Sequence, residues 1–300
     1  MQEKLKYYRT LADEFLNSSI SLTKMAEREG ISRQTLAKYF KQLGVEIVNK
    51  QNRLKFDNTV FDSIDTEEKA YWLGFIFADG TINSSPLEAC KKPKYTMEIS
   101  LKVDDFHHLE KFNTFMKYEK NGVKIQDARC GKVTCKRCRW TITDKHLWET
   151  LNNYGCTPRK SLTLKFPDED IFKSKDLIRH FIRGYFDGDG CISYGNKEHT
   201  IPTYQILGTK EFLETIMTYL NIKETLFHNH YEKDNPTMYI HSSSKRAMQL
   251  LHKLYDNCSI YLNRKYDRFI YFCRIFEKSN MLKQTNIGEG CDANTEITIE

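Results

Sequence analysis

The sequence predicts an α+β fold written twice about an internal pseudo-twofold axis, with a small all-α unit ahead of it. Three observations predict this. Residues 70–82 read AYWLGFIFADGTI and residues 180–192 read HFIRGYFDGDGCI, with Gly74, Asp79, Gly80 and Ile82 answered in register by Gly184, Asp189, Gly190 and Ile192. Behind each copy the same succession of strand-like and helix-like stretches follows, giving helix, strands, helix, strands, helix twice. The first 48 residues show helical periodicity alone.

The repeated stretch is apolar or aromatic almost throughout, which marks a buried helix. Asp65 with Glu68 reads as a capping-box start for the first copy, and Ser174 with Asp176 opens the second. Each helix ends on an aspartate, facing the negative end of the helix dipole, just before a glycine able to take a left-handed C′ conformation. Gly74 and Gly184 leave a flat face on which two helices can approach backbone to backbone. Packed in parallel, they set Asp79 beside Asp189, and carboxylates that close repel unless a cation lies between them. Hard oxygen ligands point to magnesium. A single Asp-Gly would be turn punctuation; recurrence in register inside two apolar helices argues for a shared site.

Trp72 to Gly80 and Ile182 to Gly190 resemble the paired motifs of LAGLIDADG homing endonucleases in their single-chain, two-motif form. The resemblance implies αββαββα-like halves whose saddle-shaped antiparallel sheets lie in the major groove of DNA, with the motif helices meeting over the minor groove. It makes Asp79 and Asp189 the metal-binding catalytic acids, with Mg2+ as the cofactor. One departure stands out: the motif's first aspartate is Phe77 in copy one and Asp187 in copy two. The resemblance further implies site-specific double-strand cuts with short 3′ overhangs and mobility of the encoding element. A non-cleaving transcription regulator and an RNA maturase acting on intron RNA are the alternatives on the same fold.

Taken in order, residues 1–48 form the all-α unit. Leu5–Leu16 and Leu22–Glu29 are amphipathic, Gly30-Ile31 turns, and Ser32 caps a third helix with Leu36, Ala37, Phe40 and Leu43 apolar. SLTKMAEREGISRQTLAKYF resembles the helix-turn-helix of resolvase-like DNA-binding proteins. That layout puts Arg33, Gln34, Thr35 and Lys38 nearest the bases; a plain three-helix bundle is the alternative. Residues 49–64 read as a linker whose Lys50, Arg53 and Lys55 are phosphate-contact candidates. The first half then spans 65–168, with strands at Tyr95–Val103, Val123–Ala128 and Arg139–Thr143 and helices at Phe106–Met116 and Lys145–Tyr154. The second spans 169–276, with strands at Thr203–Leu207, Thr225–Tyr231 and Met238–His241 and helices at Lys210–Leu220 and Ser244–Tyr255. Each half closes on a basic run, CTPRKS and YLNRKY. These resemble the family segments that place a cation at the edge of each active site, which makes Lys160 and Lys265 candidates for stabilising charge on an attacked phosphate.

The first half alone carries ARCGKVTCKRCRW. Lys132, Lys136, Arg137 and Arg139 there suit a basic hairpin crossing a DNA groove. Cys130, Cys135 and Cys138, with Cys90 or a histidine, are the less favoured structural zinc set. Residues 277–300 lack apolar periodicity and read as a flexible tail. Hydrophobic residues at 40% and charged residues at 29% describe a soluble globular chain, and a net charge of +6 fits a polyanionic partner. No apolar run reaches membrane-spanning length and no signal peptide is evident. Nine cysteines without secretory context read as reduced thiols. The expectation is a cytoplasmic monomer with access to double-stranded DNA. An intein is not expected, since the first residue is neither Cys nor Ser and the last three are Thr-Ile-Glu.

Overall fold

A computed structural model describes residues 2–18, 20–47, 56–86, 93–119, 122–130, 133–228 and 237–288. The chain divides into two units, Met1–Asn58 with Asn113–Gly122, and Thr59–Phe112 with Val123–Glu300.

In the smaller unit, α1 (Gln2–Asn17), α2 (Leu22–Arg28) and α3 (Arg33–Gln42) surround a core that includes Leu11, Phe15, Met25, Leu36 and Phe40. Ser21 and Ser32 cap α2 and α3, each hydroxyl accepting the backbone N–H three residues on, from Lys24 at 3.2 Å and Thr35 at 3.1 Å. Gly30, at φ +65°, makes the turn between them, a conformation that side chains with a Cβ resist.

The larger unit repeats one element order. The first half runs α4 (Glu67–Asp79), β1 (Gly80–Pro86), β2 (Pro93–Lys102), α5 (Phe106–Phe115), β3 (Val123–Cys130), β4 (Val133–Thr143) and α6 (Lys145–Asn153). The second runs α7 (Asp176–Asp189), β5 (Gly190–Tyr194), β6 (Pro202–Gly208), α8 (Lys210–Leu220), β7 (Leu226–His228), β8 (Met238–Ser243) and α9 (Ser244–Tyr255). A final helix, α10 (Asn263–Gly288), follows. The sheets are antiparallel and share one order, β1-β2-β4-β3 and β5-β6-β8-β7.

Strand alternation divides each sheet into two faces. Met97, Ile99 and Leu101 of β2 pair with Ile142, Trp140 and Cys138 of β4 and are buried, with Phe112 of α5 meeting Trp140 edge to face at 4.8 Å. In the second sheet Ile192, Tyr204, Ile206 and Ile240 take the covered side, with Phe212, Ile216 and Leu251 buried on the helices. The polar residues between them line the opposite faces.

Several local details depart from the sequence reading. The N-cap of α4 is Thr66, whose hydroxyl accepts from Lys69 N at 3.3 Å; Asp65 instead pairs with the Lys69 ammonium at 2.9 Å. No side chain caps α7; the chain enters it through backbone bonds from Leu177 to Ser174 and Ile178 to Lys175. Gly80 and Gly190 are extended, at φ −76° and −89°, so each chain leaves its helix straight into β1 or β5. Those two strands carry no clear sequence signal. From residue 59 the expected linker is packed: Val60, Phe61 and Ile64 are buried, and Ile64 O accepts from Lys173 N at 2.9 Å. The expected tail is helical as far as Gly288. Lys50, Arg53, Lys55, Cys90 and Lys132 lie outside the described residues.

Candidate active site at the paired helix ends

The site exists because α4 and α7 touch backbone to backbone. A Cβ placed on Gly74 would stand 1.9 Å from Phe181 O, and one on Gly184 would stand 1.9 Å from Tyr71 O. The contact is therefore made twice, related by the repeat, and no other residue leaves room for it. Nearer the tips, a Cβ on Gly188 would meet Ala78 Cβ at 2.3 Å and Asp79 Oδ2 at 3.2 Å. The helices run together, and Asp79 ends against the residue that precedes Asp189. Gly80 and Gly190 are required for a different reason than the sequence indicated: a Cβ there would collide with Ile76 O at 2.5 Å and Phe186 O at 2.4 Å.

Burial and the neighbouring Asp189 charge push the Asp79 carboxyl up to about 6, against the opposing pull of Lys265, Lys160 and Arg264. Burial likewise raises Asp189, countered first by Lys160 and then by Lys265. Each acid thus feels the lysine of the other half most strongly. Two partly desolvated carboxylates, each raised above its ordinary range first by burial, present oxygen donors that fit a hard divalent cation.

Lys160 and Lys265 lie deeper than an active-site rim. Their side chains are buried and reach the carbonyls that end the motif helices. Lys160 Nζ donates to Ala78 O at 3.2 Å and to Gly80 O. Lys265 Nζ donates to Phe186 O at 2.6 Å and Asp187 O at 2.7 Å. Both satisfy orphan carbonyls and oppose the negative end of the dipole, which offsets part of the cost of an aspartate at that position. Burial lowers the Lys265 ammonium to about 8. The backbones that carry them differ: Lys160 opens a 3₁₀ turn behind Arg159 at φ +59°, and Lys265 sits in the first turn of α10. A cavity of ≈ 280 Å³ borders Asp189 and is walled in part by Phe77, Ala78, Lys160 and Tyr185.

The sequence reading missed a buried polar network behind the tips. Asp187 is fully buried and accepts three hydrogen bonds, from Tyr71 OH at 2.7 Å, Tyr255 OH at 2.5 Å and Leu262 N at 2.7 Å. The His108 ring, held near 3 by burial and therefore neutral, contacts Tyr71 OH through Nε2 at 3.1 Å. Arg183, also fully buried, donates to Glu67 at 2.6 Å and to Ile260 O at 3.0 Å; Glu67 in turn accepts from Ser259 N at 2.7 Å. Arg264 forks onto Asp105 at 3.1 Å to each oxygen. Together these tie residues 254–264 of the second half to the first. The available signal was departure from the repeat: Asp187 stands where the first copy has Phe77, and Arg183 where it has Leu73.

The other expected contact residues are dispersed. Lys136 and Arg137 of β4 are exposed, and Arg139 is half-buried and ion-paired with Glu98. On α3, Arg33, Gln34 and Lys38 are exposed, whereas the Thr35 hydroxyl bonds the Ser32 cap at 2.8 Å. The described cysteines of the less favoured zinc set are split between the two faces of the sheet. Cys138 faces the covered side, its thiol donating to Lys102 O at 3.1 Å, and Cys135, three residues away on the same strand, takes the opposite face. Cys135 is disulfide-bonded, so not all nine thiols are reduced. The Cys130 side chain lies outside the described residues. Among the described residues no three His, Cys, Asp or Glu side chains gather as a metal site, and no helix is long and apolar enough to cross a membrane.

Comparison with known proteins places these features. A family model for a LAGLIDADG-like domain matches residues 176–256. Among solved structures, the chain is similar to the LAGLIDADG meganuclease I-AabMI bound to uncleaved DNA, with 14% identity, 74% of this chain and 98% of that one covered, and a TM-score of 0.45. It is also similar to the LAGLIDADG homing endonuclease I-SmaMI bound to cleaved DNA, with 13% identity, 73% and 93% covered, and a TM-score of 0.44. The LAGLIDADG homing endonuclease I-GzeII in complex with its DNA target gives 14% identity, 76% and 96% covered, and a TM-score of 0.45. Comparison with curated protein sequences finds no match. Residues 176–256, from the second motif helix through α9, match the LAGLIDADG-like domain model, and the half that precedes them repeats their order of helices and strands.

Proposed function

We propose that this protein is a site-specific homing endonuclease that hydrolyses phosphodiester bonds in both strands of double-stranded DNA at a long recognition site, with divalent-metal dependence. The observation that carries the reading is the carboxylate pair, Asp79 and Asp189, held together at the tips of helices that approach too closely for any residue but glycine. These two side chains would hold Mg2+, with backbone carbonyls, water or DNA phosphate completing its oxygen shell. The bound ion supplies activation of water and stabilisation of the leaving oxygen. Lys160 and Lys265 act as positioning residues: they fix the helix ends and place positive charge beneath the acids. The exposed sheet faces hold the duplex, and Arg33, Gln34 and Lys38 of α3 extend the contact.

The presence of both aspartates favours cleavage over the regulator reading. The test is selection of cleaved molecules from a randomised duplex pool with magnesium, followed by plasmid digestion. The reading expects one long site, linearised with magnesium and intact with a chelator. Tight binding with no cut under any divalent metal would instead indicate a regulator, and accelerated intron splicing without DNA cleavage a maturase.

A further inference from the structure

The two sheets expose opposite chemistry on the faces turned away from their helices. Strands β1 to β4 carry seven lysines and arginines against two acids, whereas β5 to β8 carry no Lys, Arg, Asp or Glu. Register concentrates the difference. Arg137 stands directly opposite Lys102 on one side, and Arg139 directly opposite Lys124 on the other. All four share the outer face, in adjacent rows. Cross-strand pairs of like charge destabilise a sheet in water, and only Arg139 has a described acid partner on that face, Glu98. Such a surface is best accommodated against a polyanion.

On the second sheet the corresponding face is neutral and engaged with itself. The Ser193 and Thr203 hydroxyls bond each other at 2.7 Å, Gln205 stands opposite His241, and the Phe227 and Tyr239 rings stack at 5.3 Å. Among its described strand residues, nothing draws a phosphate by net charge. Amide, imidazole and aromatic edges can still read bases, by hydrogen bonding to adenine or by contact with thymine methyl groups.

We infer that the two halves of the DNA site are held by different forces: the first sheet anchors its half through phosphates and guanine edges, and the second reads its half through uncharged hydrogen bonds and apolar contact. This rests on the endonuclease reading of the same faces. It assigns the salt dependence of binding chiefly to Lys102, Lys124 and Arg137, and guanine preference to one half of the site.

The experiment uses the full chain and a mixed-sequence duplex, with affinity measured against sodium chloride concentration. Removing one cation from a phosphate should reduce the log–log slope by about 0.9, so Lys124→Gln with Arg137→Gln should flatten it by about 1.8. Gln205→Ala with His241→Ala should leave the slope unchanged and relax base preference on the other half of the selected site. Without DNA at low salt, the lysine–arginine variant should also melt higher than the unsubstituted chain, because it relieves like-charge repulsion. An unchanged slope in that variant, or an equal flattening in the neutral-face variant, overturns the inference while the unsubstituted chain still binds. If the unsubstituted chain binds no duplex at all, the parent reading falls and takes this one with it.

Discussion

Around the α4–α7 crossing the two halves make one backbone contact twice and surround it with opposite side chains. On one side Phe77 meets Phe181 edge to face at 5.1 Å, an apolar contact. On the other, the residues at the repeat-related positions are Tyr71 and Asp187, hydrogen-bonded at 2.7 Å. Leu73 is answered by Arg183 in the same way, and all of these side chains are buried. The difference separates what the geometry demands from what it tolerates. Carbonyl oxygens 1.9 Å from a notional Cβ admit glycine alone, so Gly74 and Gly184 are fixed by the approach. The positions around them need only be filled and satisfied, by an aromatic pair or by a complete hydrogen-bond network.

The comparison can be broken at its shared element first. Gly74→Ala and Gly184→Ala should each destabilise the larger unit by at least about 5 kcal/mol, because a methyl group cannot share space with a backbone carbonyl. Urea denaturation checks this, and the two effects should be equal. Unequal effects would show that the crossing is less symmetric than its backbone.

The unequal element comes next. Asp187→Phe copies the first half into the second, yet strands the Tyr255 hydroxyl and the Leu262 N–H and leaves Tyr71 OH with His108 alone. It should cost about 3–5 kcal/mol. Phe77→Leu, an apolar exchange on the other side, should cost about 1 kcal/mol. Leu262 O accepts from Lys265 N at 3.0 Å in the first turn of α10, so the Asp187 variant should also slow cleavage of one strand and accumulate nicked plasmid.

A smaller effect sharpens the picture at the tips. Asp79 in the folded protein loses its proton near 6, above the ordinary carboxylate range. Between about pH 4 and pH 6 the unfolded chain therefore binds fewer protons at this position than the folded one. That contribution lowers stability by about 1–3 kcal/mol as pH rises through the window in metal-free protein, and it is constant on either side. Thermal melts across pH should show the fall reduced in Asp79→Asn. In Asp189→Asn, an NMR titration should find the Asp79 value moved down, since one of its two raising causes is gone.

What the sequence disclosed follows from the same division. Asp79, Asp189, Gly74 and Gly184 were legible because they recur in register, and helices such as Lys210–Leu220 because their apolar period is strong. β1 was hidden because GTINSSP has one buried apolar residue, Ile82, and owes its conformation to pairing with β2. α10 was hidden behind its own basic start, read as the basic run that closes the second half although Phe269 and Phe272 recur at helical spacing. The depth of Lys160 and Lys265 was not readable, since a lysine in a basic run looks like a surface group until the helix end above it supplies carbonyls. Asp187 and Arg183 could have been suspected from their mismatch with Phe77 and Leu73; their partners at residues 254–262 could not, being far away in the chain.

The most direct test follows cleavage of the selected site as magnesium is raised, in the unsubstituted chain and in Asp79→Asn and Asp189→Asn. If both acids hold metal at one shared site, each variant slows by at least about 100-fold at every magnesium concentration while still binding the duplex. Linearisation by either variant at the unsubstituted rate would contradict the account.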